Sequence, residues 1–290
     1  MLQQIFLTTI ILPLVLGVLL SIAGNGHSLA RLAFTALAIP VAAALVSMAI
    51  EGVPPLPPVA AKQKFPLLLI GAGIVFAILS FVLKQGFGRL VAIILAVISL
   101  AIPAWWLGRN VLAANPVKAT TVAIVLVILA VLLALFSANR NGQTRQSAAA
   151  ALPAALLWTA IASALAAIFG GYIGMAQMNG GLAALFGGWL LVRYVSYLRG
   201  ADDAFALTGM AAFAAIWTAA VSLAMTVLFA PSAAPAALVL AALPLAVAYA
   251  LQARGVDLSG QPRFLRPLVS GVITAVPAVC AILIAALLQA

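Results

Sequence analysis

The sequence predicts an all-α fold, a polytopic transmembrane bundle of about ten helices, and three observations lead there. Of the 290 residues, 67% are hydrophobic and only 6% are charged, whereas a soluble domain needs roughly a quarter of its residues charged to cover its surface. The apolar residues come in runs of about 20, the length of helix that crosses roughly 30 Å of hydrocarbon. The polar residues fall in short gaps between the runs, none long enough for a second, soluble domain, so residues 1–290 read as a single transmembrane domain. An apolar content this high also excludes an intrinsically disordered chain.

In chain order the spans are expected near 4–24, 30–50, 66–84, 89–108, 118–138, 150–170, 178–198, 204–230, 235–253 and 267–289. The first run follows Met1-Leu2-Gln3-Gln4 with no basic residue before it, so it reads as a retained helix rather than a cleaved signal peptide. The sixth and seventh spans are the least defined. Between Gly170 and Gly188 the glycines admit a tight hairpin, a broken helix or a re-entrant segment.

Orientation follows from the 14 basic residues. Ten of them fall in the connections after odd-numbered spans: Arg31; Lys84 and Arg89; Arg140 and Arg145; Arg193 and Arg199; and Arg254, Arg263 and Arg266. Only Lys62, Lys64, Arg109 and Lys118 belong to the even-numbered connections. Basic loops stay in the cytoplasm, which places the odd loops inside and both termini outside, in the inner membrane of a bacterium. The expected partners are the bilayer itself and anionic headgroups at those loops, with a membrane-protein partner or a second copy as further candidates. A net charge of +10 without a contiguous basic face gives no nucleic-acid surface.

The halves on either side of a boundary near 138–150 carry five spans each, the arithmetic of an inverted repeat. Pro13 and Pro153 sit early in the two halves, and Pro103 and Pro244 recur in the fourth span of each. Ten spans in about 290 residues resembles the drug/metabolite transporter superfamily, whose members are five-plus-five inverted repeats. The resemblance covers length and span count. No family motif accompanies it, the external termini expected here depart from that superfamily's internal ones, and none of its sites is carried over.

The candidate site centres on Gly170-Gly171-Tyr172-Ile173-Gly174-Met175-Ala176-Gln177-Met178-Asn179-Gly180-Gly181. Small residues four apart, Gly180, Ala184 and Gly188, suit close helix packing, and amides such as Gln177 and Asn179 hydrogen bond between helices. The functional alternative sets Gln177 and Asn179 at a helix break whose freed backbone groups hold an ion or polar solute. A substrate cavity would then be lined by Gln177, Asn179, Tyr172, Trp158 and Trp217. Trp105, Trp106, Trp189, Tyr194 and Tyr197 are expected in the interfacial aromatic belts.

Other features speak mostly against chemistry. The stiff loop Glu51-Gly52-Val53-Pro54-Pro55-Leu56-Pro57-Pro58 favours polyproline II and is expected to cap the bundle, with Glu51 paired to Lys62 or Lys64. Pro13, Pro40, Pro103, Pro244 and Pro277 lie inside spans and permit kinks. Glu51, Asp202, Asp203 and Asp257 all fall at helix ends or in loops, Asp202-Asp203 capping the eighth span, and no charge is expected deep in the membrane, which removes the usual basis of proton coupling. His27 is the only histidine and Cys280 the only cysteine, so no metal, haem or disulfide is expected; Cys280 reads as a packing residue. No catalytic motif appears, and no enzyme or cofactor is expected. A small-solute permease is the leading expectation, with a non-catalytic subunit or assembly factor of a larger membrane complex as the alternative.

Overall fold

Leu- and Ala-rich runs have strong helix propensity, and a helix satisfies its own backbone polar groups where no water can. The computed structural model describes every residue except 1, 25, 27, 84–87, 139–149, 257, 259, 289 and 290. Among the described residues are ten helices long and apolar enough to cross a membrane. They are α1 (Gln3–Ala23), α2 (Leu29–Glu51), α3 (Ala61–Val82), α4 (Arg89–Ala114), α5 (Pro116–Ala138), α6 (Ala151–Phe169), α7 (Ile173–Leu198), α8 (Gly209–Phe229), α9 (Pro235–Arg254) and α10 (Leu265–Leu287). The chain is a polytopic helical membrane protein. His27, Lys84, Arg140, Arg145, Asp257 and most of the expected half boundary lie outside the described residues.

Several boundaries differ from expectation for local reasons. Helix α3 starts at Ala61 rather than 66, because the Gln63 side chain accepts the backbone N–H groups of Val59 and Ala60 at 3.0 and 3.1 Å and caps that end. The Asp202-Asp203 pair does not cap α8, which begins only at Gly209; Asp202 instead pairs with Arg263 at 2.8 Å. The Pro-rich loop does not cap the bundle either. Its apolar residues Val53, Leu56 and Val59 are each 80% or more exposed. Cys280 is exposed on α10, since Ala278, Ala281 and Ala285 take that helix's inner face.

The Gly170–Gly188 stretch resolves into a tight hairpin followed by one uninterrupted helix. Gly171, at φ +74°, lets the chain close α6 with bonds from Gly171 N–H to the Ile168 carbonyl and from Tyr172 N–H to the Ala167 carbonyl, a left-handed C-terminal cap. Helix α7 then runs unbroken through Gly180, Gly181, Gly187 and Gly188. The helix break that the functional alternative placed at Gln177 and Asn179 is therefore absent. The glycines serve packing: a Cβ on Gly188 would overlap the Leu14 carbonyl of α1, and one on Gly17 would overlap the Leu185 carbonyl of α7.

Helix α8 is the axis of the bundle, 94% buried, with α2 to α7 and α9 around it. Its alanines, Ala211, Ala212, Ala214, Ala215, Ala219, Ala220 and Ala224, are all buried and keep it thin enough for neighbours to close on every side. Helix α3, by contrast, is 33% buried. Helix α6 packs on α7, α9 and α10, and α1 packs on α7.

Candidate functional site

Three buried polar side chains, Asn179, Ser222 and Thr226, meet where α7 packs on α8. Asn179 lies in the second turn of α7 and is 1% exposed. Its amide nitrogen donates to the Met175 carbonyl and to Thr226 Oγ1, both at 2.9 Å, and its Oδ1 accepts from Ser222 Oγ at 2.8 Å. Thr226 Oγ1 in turn donates to the Ser222 carbonyl at 3.2 Å. Both amide hydrogens and the carbonyl oxygen are used within the protein. This closed circuit clips α7 to the axis and leaves nothing aimed at a solute.

Trp217, on α8, has a different task. It is 1% exposed, and its indole Nε1 donates to the Ser99 carbonyl of α4 at 2.8 Å. Pro103 lies four residues after Ser99 and has no N–H, so that carbonyl has lost its intrahelical donor. Trp217 supplies the replacement that an apolar medium demands. Phe76 of α3 stands edge-on to Trp217 at 5.1 Å and to Phe213 at 5.3 Å, so the same cluster ties α3 and α4 to the axis.

The other candidates lie apart. Gln177 and Trp158 are half-buried on α7 and α6. Tyr172 opens α7 beside Glu51 and Lys62, which pair at 3.1 Å, and with them borders a recess of only about 10 Å³. Burial, and then the Glu51 charge, push the Tyr172 phenol above its ordinary pKa of 10.0, with Lys62 opposing. Lys64 lies over Trp106 at 5.4 Å rather than on Glu51. Of the five residues expected to line one cavity, Tyr172 alone borders a recess described here, and the structure does not bring the five together.

At the opposite end of α7 the structure holds a group that sequence reasoning placed in a loop. Arg193 lies within α7, 7% exposed, donating from Nη2 to the Ser21 carbonyl at 2.9 Å and covering Trp189 at 5.1 Å. Arg193 was counted with the connection after the seventh span; the structure places it in the helix itself. The helix continues five residues past Arg193, and Trp189 and Tyr197, expected in lipid-facing belts, are 5% exposed inside the protein. Arg193 and Asp203 border a cavity of about 90 Å³ that is also lined by Thr35, Ser196 and Thr208. The Trp189-x-x-x-Arg193 spacing, one helical turn, was the readable signal for this stacked pair.

No metal-binding group of His, Cys, Asp or Glu occurs among the described residues. No family model matches the chain, and no curated protein or solved structure is significantly similar to it.

Proposed function

We propose that the chain is a non-catalytic structural subunit of a larger membrane assembly, set in a bacterial inner membrane with its odd-numbered loops in the cytoplasm. The observation that carries this reading is the filled axis. Helix α8 is 94% buried, and the amide packed against it, that of Asn179, is bonded in three directions within the protein. A fully satisfied polar network rigidifies a core, which suits a scaffold better than a path that must open. The partner face of this reading is the loop of Val53, Leu56 and Val59, whose apolar side chains stand clear of the bundle on a proline-stiffened backbone with little entropy to lose on docking.

The test is mild detergent extraction with a photo-crosslinking residue at Leu56. The expected result is a particle heavier than one chain with its detergent, and a crosslink to a second polypeptide species. A monodisperse single chain with no crosslink overturns the proposal.

A small-solute permease is the second reading, supported by the polar cavity at Arg193, whose roughly 90 Å³ has room for a few waters. Reconstituted single chains that move a solute, and lose that movement in Thr35→Val, would establish it.

A further inference from the structure

We propose that a groove on the flank formed by α4, α5 and α9 is a binding site for one anionic phospholipid, with the phosphate at Arg89 and an acyl chain along the groove. The groove has a volume of about 850 Å³ and is the largest described here. Its floor is a row of alanines on α5, Ala130, Ala134 and Ala138, at four-residue spacing and so on one helical face. The walls are taller: Ile93 and Val97 of α4 on one side, Val127, Val131 and Leu135 of α5 on the other, all substantially exposed. Methyl groups between branched side chains make a channel of acyl-chain character.

Length identifies the occupant. The α5 wall from Val127 to Ala138 extends roughly 16 Å at 1.5 Å per residue, about one leaflet of a hydrocarbon core some 30 Å thick. A partner's transmembrane helix would need a groove along the whole span. This one stops near the middle, as a single lipid does.

Charge identifies the headgroup. Arg89 stands at the end of the groove where α4 begins, and Ala253, at the same end of α9, is followed directly by Arg254. Both arginines are exposed, and among the described residues no Asp or Glu lines the groove. A guanidinium matches phosphate oxygens in two-point hydrogen bonds. Tyr249, held edge-on to Phe136 at 5.5 Å, sits just over one turn below that rim with an amphipathic ring suited to the headgroup boundary. The site does not depend on whether the chain has a protein partner.

The experiment is native mass spectrometry of the delipidated full chain, titrated with phosphatidylglycerol and phosphatidylcholine of identical acyl chains, and with inorganic phosphate as competitor. The expected result is one phosphatidylglycerol retained per chain under activation that strips phosphatidylcholine. Arg89→Ala should weaken phosphatidylglycerol about fivefold, as expected for one basic residue at an anionic surface, and leave phosphatidylcholine unchanged. Val131→Trp, which fills the channel from a lipid-exposed position, should abolish the retention. Equal retention of the two lipids by the wild-type chain, displacement by inorganic phosphate alone, or indifference to both substitutions overturns the proposal. The wild-type competition decides the matter even if a variant fails to fold.

Discussion

Replacing Trp217 by Phe tests whether a tryptophan donor compensates a proline. The substitution keeps an aromatic ring against Phe76 but removes the indole N–H, leaving the Ser99 carbonyl with no donor from Pro103 and none from α8. An orphaned buried acceptor costs about 1–3 kcal/mol, and interhelical hydrogen bonds measured in membrane proteins fall at about 0.6–1.7 kcal/mol. The void left by the smaller ring adds about 1 kcal/mol. The total expected for Trp217→Phe is about 2–3 kcal/mol. Pro103→Ala supplies the control, because an alanine at that position has a backbone N–H that can reach the Ser99 carbonyl within α4. In the Pro103→Ala background Trp217→Phe should therefore cost about 1 kcal/mol less. Reversible unfolding in mixed SDS micelles would measure all four corners of this double-mutant cycle. Additive effects, with no coupling between positions 103 and 217, would refute the reasoning.

Gly188→Ala drives a methyl into the Leu14 carbonyl and should destabilise by about 1–3 kcal/mol. Gly187→Ala, whose Cβ meets only Leu157 Cδ1 at 4.0 Å, should be neutral or stabilising by up to about 1 kcal/mol; equal outcomes in thermal melts would count against the α1–α7 contact. Asn179→Ala and Ser222→Ala should each cost about 1 kcal/mol and the double variant less than their sum, read in the same SDS titration, while Gln177→Ala changes little. The Tyr172 phenol, isolated as the absorbance difference between wild type and Tyr172→Phe, should ionise above 10.0. Glu51→Gln should lower that midpoint and Lys62→Ala raise it. Because the folded protein holds this proton more tightly, the associated stability is present below the ordinary tyrosine pKa and lost as pH climbs through the raised one; a midpoint at or below 10.0 contradicts the assignment.

The membrane class and the ten spans were legible because length and hydropathy of a run depend only on the run itself. Helix ends were less so: α3 starts early because Gln63 reaches back to its own backbone, a contact no hydropathy profile registers. The glycines of α7 were ambiguous for a related reason. Their meaning depends on α1, whose Leu14 and Gly17 stand opposite Gly188 and Leu185 only once the chain has folded. Asn179 was singled out as a polar residue within a span, but sequence does not show that Ser222 and Thr226, more than forty residues on, would occupy it completely. Arg193 was counted with the basic residues after the seventh span, although that span was expected to reach 198; its burial over Trp189 depends on the first helix, whose Ser21 carbonyl it reaches.

The filled axis is tested most directly by thiol accessibility. In a Cys280→Ala chain, Ser222→Cys should resist small, charged, thiol-reactive reagents applied from either face of the membrane, while Leu56→Cys reacts fully. Modification at position 222 would show a water path reaching the interior of the bundle at α8 and contradict the account.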